Sequence, residues 1–152
     1  MKIESTRFGE MEVEEQQLIN FPHAIPGFPS EQSFAFIPYQ SDSPFAFLQS
    51  ATDPDLTFVI VEPYSFFPDY GFDLDDVVAG ELGLCDENRP QIFNIVRIPE
   101  KADEMTANLL APLVINWEKR VGMQIVLEKS PYTVRHSLFP PGISKQTPKG
   151  GK

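Results

Sequence analysis

Few residues in this chain could make or break bonds. There is one cysteine, Cys85, and two histidines, His23 and His136. Cys85 sits among Leu84, Asp86 and Glu87, and negative neighbours raise a thiol pKa, the wrong direction for a thiolate nucleophile. Two histidines and one cysteine cannot complete a structural zinc site without carboxylates. No GxSxG, Walker-type glycine loop, HExxH or CxxC is present. The run Asp73-Leu74-Asp75-Asp76 begins like a calcium loop, but Val77 and Val78 stand where further oxygen ligands belong, so helix capping explains the acids better. Paired carboxylates for glycoside hydrolysis are set by space rather than sequence, and a chain this short leaves little room for a saccharide cleft. The residues therefore point to a protein that is not an enzyme, with no metal and no cofactor.

The elements that would position any site are short. Fifteen prolines and thirteen phenylalanines in 152 residues disfavour long helices and favour brief strands between turns. Residues 2–6 and 10–13 alternate around Arg7-Phe8-Gly9 as an opening hairpin. Strands are expected over 18–21, 34–38, 45–50, 57–61, 91–99 and 123–128, with two more in 105–116, split by Pro112, and a last over 132–136. One helix of about nine residues is expected, capped by Asp73 and ended by Gly83. The fold class is mainly β: a small antiparallel barrel-like or strongly bent sandwich domain over residues 1–139, followed by a disordered basic tail over 140–152.

Charge separates the function classes more sharply. The net charge is -10, yet residues 8–88 hold sixteen acids and no Lys or Arg, while residues 89–152 carry ten bases and five acids. Such a segment repels phosphate and attracts basic proteins, which argues against direct nucleic-acid binding. Aromatics such as Phe45, Phe47, Phe66 and Phe67 lie inside it, whereas base-stacking platforms lie in basic grooves. A charged start and the lack of any long apolar run argue for a cytoplasmic chain without a membrane span.

Several blocks then become recognisable. Thr6-Arg7-Phe8-Gly9-Glu10, Phe21-Pro22 with Ile25-Pro26-Gly27-Phe28, Ser43-Pro44-Phe45, Asp53-Pro54 and Pro68-Asp69-Tyr70 resemble the bacterial FliW flagellar assembly factors. So do Thr106-Ala107-Asn108-Leu109-Leu110-Ala111-Pro112, Val114-Ile115-Asn116 and Arg135-His136. Ala24, where a glycine is expected, and Ser137, where a proline is usual, depart from the pattern.

The resemblance implies a β-barrel-like protein that binds two partners in turn: the C-terminal region of flagellin and the RNA-binding translational repressor CsrA. Capture of CsrA after flagellin export would lift repression of flagellin mRNA. Docked on the repressor's flank, the acids of residues 8–88 would face the path of RNA. About ten acid–phosphate pairs at ~10 Å, screened by one Debye length, would together contribute about 1.5 kcal/mol, roughly a tenfold weakening.

The residues expected at the contact surface are Glu62, Phe67, Asp69 and Tyr70, aromatic anchors ringed by charge, with Met105, Asn108 and Leu109. Asn108 has an equal alternative role in satisfying backbone at a turn. Two competing classes are a small-molecule-binding or hydrolytic β-barrel, which needs convergent polar groups, and a dedicated export chaperone, which does not need the acidic half.

Overall fold

Aromatic and β-branched runs cut by proline can bury themselves only by pairing with neighbours, and here they do so around a closed ring. The computed structural model describes residues 1–85, 87 and 89–139, so the expected tail over 140–152 lies outside the described residues. Strands β1 (Lys2–Ser5) and β2 (Gly9–Glu12) form the opening hairpin. The larger sheet contains β3 (Ile19–Asn20), β4 (Ser33–Pro38), β5 (Phe45–Ser50), β6 (Thr57–Val61) and β7 (Gln91–Arg97). It continues with β8 (Thr106–Ala107), β9 (Leu113–Asn116), β10 (Val121–Gln124) and β11 (His136–Ser137).

Closure depends on β7. One edge of β7 pairs with β6, while the other pairs with β9 through Gln91–Phe93 and with β8 through Val96 and Arg97. The circuit β3-β4-β5-β6-β7-β9-β10 returns to β3 through the parallel pairing of Val121 with Asn20, giving a seven-stranded barrel. Closure removes the open edges that invite aggregation. The barrel is mainly β and antiparallel, as expected, and β8 and β11 extend from it as a flap.

Alternation along the strands divides the apolar residues between two sides. Phe34, Ala46, Leu48, Ile60, Phe93, Leu113 and Ile115 fill the barrel with Phe21 and Ile25. Val61, Tyr70, Val96, Ala107, Leu109, Leu127 and Leu138 form a second cluster, with Phe67 and Met105 packed on it. Ile3, Leu18 and Ala35 make a third cluster involving the hairpin.

Three local expectations are corrected. The last strand, expected over 132–136, is His136–Ser137. The helix α1 is Asp76–Leu82, and Asp75, not Asp73, caps it by accepting from Val77 N at 2.7 Å. The strand expected over 123–128 begins at Val121 and ends at Gln124. Beyond it, Ile125 and Leu127 donate to the carbonyls of Pro112 and Leu110. In the β10–β9 register Ile125 faces Pro112, which has no N–H to return the bond, so the regular ladder ends at Gln124. Finally, Ala24 adopts φ 60°, the left-handed conformation in which a glycine would avoid steric strain.

Candidate partner-binding surface

The two groups of expected contact residues, separated in sequence by the whole stretch from Tyr70 to Met105, meet in space. Tyr70 is brought to β7 by the 3₁₀ turn Pro63–Ser65 and by the following bend, in which Tyr70 N donates to Phe67 O at 2.9 Å. Its phenol donates to Leu109 O at 2.8 Å and accepts from Asn94 Nδ2 at 3.3 Å. The same Asn94 amide donates to Asn108 O at 2.8 Å. One side chain of β7 thus ties the 62–70 segment to the 106–111 segment. Burial pushes the Tyr70 phenol up to about 12 from an ordinary 10.0, partly opposed by the Asn94 bond.

Placement separates contact from support. Tyr70 is 5% exposed and Leu109 1% exposed, so both are interior side chains and neither presents a contact surface in this conformation. The physical reason is that a phenol on an aromatic corner finds two buried partners here, and Leu109 fills the cluster beneath it. Asn108 is partly exposed, and its side-chain oxygen accepts from Ala111 N at 3.1 Å, which is the turn-satisfying role. Phe67 is half-buried, edge-on to His136 with ring centroids 6.1 Å apart, and Met105 is half-buried in the same cluster. Asp69 is exposed. Glu62 is partly exposed; its backbone N–H donates to Pro44 O at 2.8 Å and its carboxylate accepts from Tyr64 N at 2.5 Å. These bonds fix Glu62 between the 40–44 turn and the 3₁₀ turn.

Glu62 also lines a cavity of about 390 Å³, with Phe36 and Phe93 among its apolar walls and Asp42, Ser65 and Gln91 among its polar ones. Among the described residues, no Lys or Arg lines it. Aromatic surface with carboxylates beside it suits a basic side chain, whose apolar stem and charged head have different needs. Sequence reading missed Asp42, Gln91, Phe36 and Phe93. Asp42 stands in Ser41-Asp42-Ser43-Pro44, whose residue types mark only a turn, and no local signal relates Gln91 to a loop almost fifty positions earlier.

The acids do not gather on one flank. Asp53 and Asp55 lie in the β5–β6 turn and Asp42 in the β4–β5 turn, at opposite ends of the six-residue β5, roughly 17 Å apart along the strand. Glu10 and Glu12 are on the hairpin, and Asp75, Asp76 and Glu81 are on or beside α1. The acids thus stand at both ends of β5, on the hairpin and on or beside α1. Neutralisation is sparse: among the described residues, ion pairs engage Glu12 with the N-terminus, Glu10 with Lys2 and Glu81 with His23.

The chemistry-bearing side chains are dispersed. His23 meets Glu81 at 2.5 Å, His136 Nε2 accepts from Thr133 N at 2.9 Å, and Cys85 is exposed and free. Among the described residues, no group of three or more His, Cys, Asp or Glu is placed to hold a metal ion, and no helix is long and apolar enough to cross a membrane.

Comparison with known proteins bears on this surface. The family model described as FliW protein matches residues 2–138. A flagellar assembly factor FliW from Desulfitobacterium hafniense (strain DSM 10664 / DCB-2) is 53% identical over 152 residues, covering all of both chains. One from Heliobacterium modesticaldum is 43% identical and covers 99% of each. A crystal structure of the flagellar assembly factor FliW superposes with a TM-score of 0.87 at 38% identity, covering 94% of this chain and all of that one.

Proposed function

Because this chain belongs to the FliW family, we propose that it is a non-catalytic regulatory binding protein that sequesters CsrA and binds the C-terminal region of flagellin. In this reading it acts in the cytoplasm and couples flagellin export to flagellin translation. The observation that carries it is the acidic surface, sparsely neutralised among the described residues, together with the Glu62 cavity that no described Lys or Arg lines. A negative field speeds encounter with a basic RNA-binding protein and disfavours RNA near the complex.

Contact in this reading runs from Asp42 and Glu62 through Phe67 and Asp69 to Met105 and Asn108. Tyr70 and Leu109 hold the two segments together from beneath. Since acids stand at both ends of β5, on the hairpin and beside α1, antagonism in this reading does not depend on one docking orientation placing a charged face before the RNA.

The test is co-purification of the full chain with a CsrA dimer, followed by titration with flagellin mRNA leader at low and high salt. The proposal expects a stable complex, release of RNA, and weaker antagonism as salt rises. Binding that ignores salt would assign antagonism to a conformational change in CsrA, and absence of any complex would remove CsrA from the function. A pull-down with the flagellin C-terminal region tests the second partner separately.

A further inference from the structure

Arg120 occupies a backbone position that suits glycine. It closes the β9–β10 connection with φ 55°, and a side chain in that region is held against its own Cβ sterics. The backbone there does not need arginine: the Arg120 carbonyl accepts from Asn20 N at 2.9 Å, a bond that glycine would make equally well. What the position retains, against strain, is the side chain. Its guanidinium lies 4.7 Å from the centroid of the Trp117 ring, and none of the ion pairs among the described residues uses it.

Both side chains line a cavity of about 240 Å³, with Val13, Leu18 and Phe36 among its apolar walls. Gln17 also lines it; the Gln17 side-chain oxygen already accepts from Glu14 N at 3.0 Å, which leaves the amide N–H₂ as the group it can offer. An apolar cavity beside one guanidinium and one amide donor asks for a ligand with a single apolar group and a single anionic head. A planar guanidinium matches a carboxylate through two parallel hydrogen bonds. The size falls between the roughly 150 Å³ that holds a benzene and the roughly 300 Å³ at which sites for drug-sized ligands begin.

We propose that this cavity binds a small apolar monocarboxylate, an aryl or alkyl acid with its chain against Phe36 and Trp117 and its carboxylate on Arg120. The site shares the Phe36 ring with the Glu62 cavity but takes the opposite charge.

Trp117 is the only tryptophan, so its fluorescence reports on the cavity directly. The full chain is titrated with 3-phenylpropionate and with the neutral isostere 3-phenylpropionamide. The acid should quench saturably, and the amide should bind at least about tenfold more weakly, the loss expected for one charged hydrogen-bonded partner. Arg120→Gly should lose the response to the acid by a similar factor while its melting temperature stays level or rises, because glycine relieves the backbone. Arg120→Asn, which tolerates the same φ without the charge, should behave likewise. Equal quenching by acid and amide overturns the proposal, as does undiminished acid binding by either variant. A response only to a peptide ending in phenylalanine, with none to 3-phenylpropionate, would overturn it in favour of a chain terminus.

Discussion

The phenol of Tyr70 donates to the carbonyl of Leu109 at 2.8 Å, joining two segments whose side chains otherwise touch through one packed cluster. This bond lies in the interior, where an amide or phenol left without its partner cannot turn to water. Tyr70→Phe keeps the ring and removes the donor, leaving the Leu109 carbonyl short of a partner and the Asn94 amide with Asn108 alone. The expected loss is about 1–2 kcal/mol of stability. Urea unfolding should show a lower midpoint with an unchanged slope, since the surface exposed on unfolding is the same. An unshifted midpoint would mean that the bond is replaceable.

The same phenol makes stability fall at high pH. Its folded pKa is about 12 against an ordinary 10.0, raised chiefly by burial. The folded state therefore holds the proton more tightly than the unfolded chain, and the contribution is complete below pH 10 and is lost as pH rises through about 12. Tyr70→Phe should show a shallower alkaline decline than the parent. Ultraviolet titration of the tyrosines should find one late transition in the parent that the variant lacks.

How far the sequence reached is visible at these positions. Hairpin and strands β4, β5 and β6 were legible because alternation and proline-marked turns are local signals. Barrel closure was not, because it rests on Gln91 opposite Ile115 and Val121 opposite Asn20, pairings that no neighbouring residue announces. Tyr70 and Asp69 sit side by side in one aromatic–acidic run, yet one is interior and the other exposed. Composition cannot separate them; the buried amide of Asn94, on a distant strand, does.

Ala24 offers a stabilising change. It holds φ 60° in the turn after Phe21, where its N–H donates to Phe21 O at 2.8 Å. The left-handed region costs an alanine about 1–2 kcal/mol, and glycine gives back about 0.4–1 kcal/mol of that through the freedom of its unfolded chain. Ala24→Gly should therefore gain roughly 0.5–1 kcal/mol. Thermal unfolding with a midpoint below the parent's would show that the turn relaxes around alanine at no expense.

At the acid end, Glu31 pins the 29–32 turn to the β5–β6 connection. Its carboxylate accepts from the hydroxyls of Ser50 and Thr52 and, at 3.3 Å, from Ser30. The Ser50 and Thr52 bonds hold its pKa below the usual 4.5. A depressed carboxylate contributes stability above the unfolded pKa, and that contribution is lost as pH falls through the folded value. Glu31→Gln should be less stable than the parent at neutral pH, and the gap should narrow as pH drops below 4.5. A gap that stays constant from neutral to acid pH would assign the loss to shape rather than charge.

Charge reversal at the surface tests the proposed contact without disturbing the core. Asp69 is exposed, so Asp69→Lys should fold with stability within about 0.5 kcal/mol of the parent. Glu62→Gln keeps the shape beside the cavity and an acceptor for Tyr64 N, but removes the negative charge offered to a basic side chain. Rim charges act mainly on the rate of association, and groups in a desolvated pocket act mainly on the rate of escape. The two variants should therefore differ in kind. Against CsrA, Asp69→Lys should slow association several-fold and flatten its salt dependence, while Glu62→Gln should speed dissociation with little change in association. Surface plasmon resonance over a salt series measures both rates. If both variants match the parent in both rates, the contact lies elsewhere on the barrel, and the acids at the β5–β6 turn and on the hairpin become the next surface to reverse.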